Sequence, residues 1–395
     1  TVTLGGGTLT GAEVWGTSYV NTSNQASVLG SSDAQIAGNT LNVAAKNLEV
    51  KKVRNFEKYT FTPTNAVQNG DTMLTLSAAG GGVGGLVYGG KSDGTSAVKG
   101  NGVLMDGAAA PVDTLTGGYG ASAESNRVEL KDGTAHVVYG GNATTGDAIK
   151  NIVTITGGTV TNAMGGSVSG ANASATGNEV TVEGGTVANV IGAGGAVGTG
   201  NVTGNHVIIE GGTVTGQIVG GYTRALTSRS NGNTVTLGGG TLAGAEVWGT
   251  SYVNASNQAA VLGSSDAQIA GNTLSVTAKD LTVNKIRNFE KYTFKPTAAV
   301  QNGDTMLALS AAGGFGELSS DGSAVKVKWS DVTADPSALL AGGAGLQGKN
   351  SITLLKTADG AANLHFDSYA ATAKADGTYE TILRTDGDAS DTAAV

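Results

Sequence analysis

Asn151–Gly166 reads NIVTITGGTVTNAMGG, and the chain keeps returning to that pattern. Asn126 opens NRVELKDGTAHVVYGG, Asn178 opens NEVTVEGGTVANVIGAGG, Asn205 opens NHVIIEGGTVTGQIVGG and Asn233 opens NTVTLGGGTLAGAEVWG, at spacings of 25, 27, 27 and 28 residues. Apolar residues alternate at the start of each unit: Val128 and Leu130, Val153 and Ile155, Val180 and Val182, Val207 and Ile209, Val235 and Leu237. A period of two places each pair on one face of a strand. Ala135, Val160, Val187, Val214 and Leu242 begin a second strand facing the same interior, after a Gly-Gly corner where positive φ is needed. No stretch carries a sustained 3.6-residue apolar period with caps. The units therefore predict an all-β chain, a right-handed parallel β-helix (β-solenoid) with rungs of 25–28 residues, each stacked on its neighbours. At ~4.8 Å per rung, roughly twelve to fifteen rungs would run about 60–75 Å.

Stacking like on like turns each repeated position into a column. Asn126, Asn151, Asn178, Asn205 and Asn233 are expected to form a ladder of amides along one turn, structural in role because Asn tolerates turns and amides bond along a stack. Tyr139, Met164, Ile191, Val219 and Trp248 form a bulky column, with Tyr88 and Trp15 in related contexts. Only some of these are aromatic, which favours packing over a sugar-stacking stripe. The variable segments 142–150, 167–177, 193–204 and 222–232 fall on one side and are the natural place for recognition loops.

A second, longer repeat is laid over the first. Residues 1–81 return as 234–314 with only 12 differences, among them Thr10/Ala243, Asn47/Asp280, Lys51/Asn284 and Thr62/Lys295. Copying a unit lengthens a scaffold; a catalytic site is rarely duplicated whole. The chain divides into 1–81 (rungs and a first aromatic closing module), 82–125 (irregular Gly-rich rungs), 126–265 (regular rungs) and 266–395 (second closing module and C-terminal region). TLSVTAKDLTVNKIRNFEKYTFKP, from Thr273, is too long for one strand and is expected to give two or three in successive rungs. Phe56, Tyr59 and Phe61, with Phe289, Tyr292 and Phe294, are the densest aromatic group and read as a hydrophobic plug covering the end of the stack.

Composition removes several classes of function. Gly supplies 65 of 395 residues without a triplet period, and 39% hydrophobic residues with 14% charged ones argue against disorder. A net charge of −8 gives no electrostatic footprint for nucleic acid, and no apolar run approaches membrane-spanning length. Zero Cys removes thiolate metal sites and cysteine nucleophiles. The first residue falls in mid-repeat, as expected for a fragment of a longer polypeptide.

The order K-x-L-x-V-x-K-φ-R-N-F-E-K-Y-x-F, then N-G-D-T-M-L, resembles passenger regions of large bacterial autotransporter adhesins of type V secretion. Gly322–Trp329 (GSAVKVKW) and Lys349–Gly360 (KNSITLLKTADG) are similar to the segment such passengers carry before the membrane barrel. The resemblance covers 266–395 and 1–81. It implies an extracellular β-helical passenger on a bacterial cell surface, attached to a membrane only through regions outside this chain. The first copy departs from the pattern: after Gly81 it runs GGVGGLVYGGKSDGTSAVKG.

Catalytic signatures are absent from the sequence. His136 and His206 occupy different columns, His365 lies far from both, and no nucleophile elbow or P-loop appears. Lys131, Thr156, Glu183 and Glu210 form one column, in which Glu183 and Glu210 are the sole candidate acid pair for a β-helix lyase or glycosidase. They flank a Gly-Gly turn and read as surface charge. Asp386, Asp388 and Asp391 lack the spacing of a calcium loop. The leading expectation is a non-enzymatic surface scaffold or adhesin without a cofactor, whose partner is a host or bacterial surface protein or glycan. A carbohydrate-active enzyme and a self-associating surface-layer or filament protein are the alternatives.

Overall fold

The computed structural model describes residues 1–18, 35–56, 58–65, 73–76, 86–92, 96–106, 111–196, 198–225, 227–253, 259–260, 267–314, 332–335, 339, 349–358, 363–369, 380–386 and 392–394. These form a parallel β-solenoid of about eight turns. Its first face is a nine-stranded sheet: Gly102–Asp106, Arg127–Asp132, Ile152–Ile155, Glu179–Val182, His206–Ile209, Thr234–Leu237, Thr273–Val276, Lys291–Phe294 and Val332–Ala334. Val128, Val153, Val180, Val207, Val235, Leu274 and Tyr292 are direct neighbours up this face. All are buried, because alternation sends every second side chain inward. Full burial of such a Val or Leu contributes about 1.5–3 kcal/mol.

The second face carries Leu86–Lys91, Val112–Gly120, Thr134–Ala143, Thr159–Val168, Thr186–Ala196, Gln217–Thr223 and Glu246–Val253. A third, narrow face stacks six two-residue strands, from Val98–Lys99 to Ser230–Asn231. Between the second and third faces lies a separate core of small residues, including Ala123, Ala148, Ala175 and Val202. The strands Leu86–Lys91, Val98–Lys99 and Gly102–Asp106 already belong to these sheets, so regular stacking starts well before Asn126.

The stack has about eight turns, not the expected twelve to fifteen, and it is not uninterrupted. Strands Val2–Leu4, Thr40–Val43 and Lys58–Phe61 of the first copy pair with one another and then pass, through Lys58 beside Leu86, onto the second face. Their counterparts Thr234–Leu237, Thr273–Val276 and Lys291–Phe294 stay on the first face. The junction is thus a seam at which the stack shifts by one face. The modules also step unevenly: 39 residues separate Asn233 from Asn272, but only 18 separate the paired Thr273 and Lys291.

The long alternating segment gives four strands rather than two or three: Thr273–Val276, Leu281–Val283, Lys285–Arg287 and Lys291–Phe294. Asp280 (φ 59°) and Asn288 (φ 58°) turn the chain between them in the left-handed region, where Asn and Asp substitute for Gly. No glycine or proline marks these corners, so the sequence pattern alone missed them. Beyond Ala334 an antiparallel sheet of Lys349–Lys356, Leu364–Tyr369, Glu380–Thr385 and Thr392–Ala394 follows.

Candidate functional site

The most elaborate polar constellation in the chain is the Asn ladder, and it faces inward. Asn126, Asn151, Asn178, Asn205 and Asn233 have no solvent exposure. Each Nδ2 donates to the next Oδ1: Asn126 to Asn151 at 2.9 Å, Asn151 to Asn178 at 2.9 Å, Asn178 to Asn205 at 3.0 Å and Asn205 to Asn233 at 2.9 Å. The backbone N–H of each donates to the same oxygen at 3.0 Å. The second amide proton goes to a third-face carbonyl, as from Asn178 to Ala148 at 3.0 Å. Every polar atom of these five amides is satisfied inside the stack, so they fix register and offer nothing to a ligand.

Two further members escaped the sequence reading. Asn101 begins the ladder, donating to Asn126 Oδ1 at 3.1 Å, and Asn272 ends it, accepting from Asn233 at 3.2 Å. The available signal was the dipeptide Gly-Asn: Gly100, Gly177, Gly204, Gly232 and Gly271 precede ladder residues and all have positive φ. Ser125 (φ 54°) and Lys150 (φ 53°) hold the same corner without glycine. The pairs Gly140-Gly141 and Gly165-Gly166 are small for another reason. A Cβ on Gly141 would lie 2.4 Å from the Asn151 amide, and one on Gly166 would lie 2.5 Å from that of Asn178.

The bulky column assembles as one file on the second face, running Tyr88, Thr116, Tyr139, Met164, Ile191, Val219, Trp248 and Arg287. Tyr88, Met164, Val219 and Trp248 are buried, whereas Tyr139 and Ile191 are half-buried. Burial first, then the nearby Tyr222, pushes the Tyr139 phenol above its ordinary value, against a smaller opposing pull from Arg224. Phe56, Tyr59 and Phe61 are buried like Phe289, Tyr292 and Phe294, and all six belong to the main core. They are interior packing within turns that continue past them, to Leu86–Lys91 and to Val332–Ala334, and not the expected plug over the end of the stack.

Glu183 and Glu210 stack on successive turns, as their neighbours Val182 and Ile209 pair, and both are exposed. Lys131 at the head of that column is held 3.7 Å from Glu129 instead. His136 and His206 are exposed and on different faces; His136 lies 3.4 Å from Asp113. Among the described residues no group of three or more His, Asp or Glu is placed to hold a metal.

A polar network in the C-terminal antiparallel sheet was not anticipated. Buried Asp367 accepts from Arg384 Nε at 2.6 Å, and Arg384 Nη1 donates to Asp386 at 3.0 Å. Asn363 donates to Asp386 at 2.9 Å, and His365 lies between Asp386 (3.0 Å) and the Thr353 hydroxyl (3.2 Å). Partial burial works to raise the Asp386 carboxyl, but the bonds from Asn363, His365 and Arg384 outweigh it and hold the group below its ordinary range. Both Asp386 oxygens are thereby engaged by protein donors; Asp388 and Asp391 lie outside the described residues.

The variable connections occupy one corner, between the second and third faces, and they bond to each other up the stack. Thr199 donates to Asn172 Oδ1 from its backbone N–H (2.9 Å) and its hydroxyl (2.8 Å), and Ser228 donates to Gly198 at 3.0 Å. Arg229 N–H reaches Asn201 at 3.2 Å and Ser174 N–H reaches Asp147 at 2.8 Å. Comparison with family models, with curated proteins and with solved structures gives no match to this chain.

Proposed function

We propose that the chain is a non-enzymatic β-solenoid scaffold of an extracellular bacterial surface protein, presenting loops for attachment to a host or bacterial protein or glycan. The observation that carries this reading is the division of labour around each turn. The ladder amides are spent inside the stack, whereas sequence variation collects at one stacked corner whose side chains include exposed ones. The resemblance of 266–395 and 1–81 to autotransporter passengers supports the same assignment. Attachment distributed over several such connections would be weak at each turn and strong in sum.

The test is adhesion of cells or beads displaying the chain to surfaces coated with candidate proteins and glycans. Replacing 169–172 with Gly and Ser, which leaves the buried Val168, Ala173 and Ala175 in place, is expected to lower retention modestly with little change in unfolding. Release of oligosaccharide from a glycan panel, abolished by Glu183→Gln, would replace the scaffold reading with an enzymatic one.

A further inference from the structure

The Asn ladder is open at its head. Every other member has an Oδ1 that accepts two protons from the Asn of the turn before it, as Asn126 Oδ1 does from Asn101. Asn101 is itself only 8% exposed, yet no described residue donates to its Oδ1. The place of the missing donor is a cleft of about 400 Å³, within the size range of small-molecule sites. It exists because the stack shifts by one face at the seam, which brings the tail Phe61–Asn65 of the first module over residues 90–92 and 97–101 without an Asn to continue the ladder.

The lining is chemically one-sided. Among the described residues it contains Lys91 and Lys99, the hydroxyls of Thr62, Thr64 and Ser92, whose protons go to Asn42 Oδ1 and to the carbonyls of Ala44 and Ser96, and no carboxylate, in a chain whose net charge is −8. Lys99 is shared with Glu124 at 2.7 Å. Lys91 has no acidic partner among the described residues; its ammonium rests over the Tyr88 ring at 4.7 Å and the Tyr119 ring at 5.8 Å. A ligand that suits this cleft brings an anion for Lys91 and a hydroxyl proton for Asn101 Oδ1, two demands that a bare inorganic anion or a neutral sugar meets only by half.

We propose that the seam cleft binds a hydroxylated carboxylate of the acidic-sugar class, a hexuronate, with its carboxylate on Lys91 and a ring hydroxyl donating to Asn101. This goes beyond the scaffold reading and stands separately from it: the site lies on the seam, away from the variable corner.

Isothermal titration of the intact chain with a glucuronate-containing disaccharide, its glucose counterpart and a carboxylate-terminated peptide of similar size tests it. Binding of the uronate alone is expected. Lys91→Gln should weaken it roughly tenfold or more, as for the loss of one hydrogen bond to a charged group, with thermal unfolding unchanged because Lys91 is exposed. No uronate binding at millimolar concentration, equal binding of the glucose disaccharide or the peptide, or an unaltered affinity in Lys91→Gln would each overturn the proposal. If the adhesion test fails while uronate binds, the scaffold reading falls and the cleft remains.

Discussion

Residues 1–81 and 234–314 differ at 12 positions and pair internally in one register, yet they are built into the molecule differently. Leu41 sits beside Tyr59 as Leu274 sits beside Tyr292, and Leu48 beside Leu74 as Leu281 beside Leu307. Phe56 meets Tyr59 at 5.9 Å and 63°, and Phe289 meets Tyr292 at 6.2 Å and 61°. Asn47 and Asp280 turn the same corner at φ 55° and 59°. What separates the copies is their neighbours. The second follows a regular turn, so Asn272 is buried beside Asn233 and closes the ladder; the counterpart of Asn233 would fall before Thr1, and Asn39, the counterpart of Asn272, is half-buried with bonds of 3.2 and 3.5 Å. Local sequence dictates the module, and the preceding turn dictates what its Asn is worth.

The sharpest challenge to that view is a matched pair of substitutions. Asn272→Ala strands the donors of Asn233 and removes two bonds to Ser230 and Gln268, and is expected to cost about 3–5 kcal/mol; Asn39→Ala should cost about 1 kcal/mol or less. Urea unfolding combined with amide exchange at Asn233 measures both, and equal losses would show that context does not set the value. Phe56→Ala and Phe289→Ala test the opposite half of the comparison. Each should cost about 3–5 kcal/mol, because both rings are core, and a gap well beyond 1 kcal/mol would mean that the modules pack unlike each other.

Smaller effects probe the positions where the copies have diverged. Asp280→Gly relieves left-handed strain and should add about 1 kcal/mol, with Asn47→Gly adding less because Asn tolerates that region well. Thermal shift assays would rank the two. Thr62 bonds to Asn42 at 2.5 Å, whereas Lys295, beside the smaller Ser275, reaches across to Asp335 at 3.3 Å on the following turn. That pair is exposed, and a double-mutant cycle should give under about 1 kcal/mol. The least effect is expected from acid. A hydrogen bond from Lys279, then one from the Gln301 backbone, outweighs partial burial and lowers Asp304 below its ordinary 3.8. Its contribution is fully present above that value and is lost as pH falls through the lower folded one. Asp304→Asn should therefore flatten the acid limb of a stability profile; an unchanged limb would show the pair to be inert.

The regular turns were legible because period-two alternation, Gly-Gly corners and a recurring Asn each have one structural meaning when repeated five times. Asn101 keeps the spacing, 25 residues before Asn126, but its unit NGVLMDGA lacks the Gly-Gly-Thr corner, and Asn272 was missed because its step from Asn233 is 39 residues, although the Gly-Asn corner was there to be read in both. Four strands hid in the Thr273 segment because Asp280 and Asn288 took the role of glycine. The C-terminal network left no local trace: Asp367 and Arg384 are 17 residues apart and meet only through antiparallel pairing.

Sequence by itself determined the solenoid, its columns and the equivalence of the two modules, since these depend on local periodicity and on each turn seeing a copy of itself. Only the tertiary structure decided where the stack changes face, because that depends on how Lys58–Phe61 and Leu74–Leu76 dock on Leu86–Lys91 and Gly102–Asp106, contacts that no repeat encodes. The ladder's open oxygen at Asn101 follows from that docking: a hydrogen-bond acceptor is satisfied or stranded by the turn beneath it, not by its own sequence.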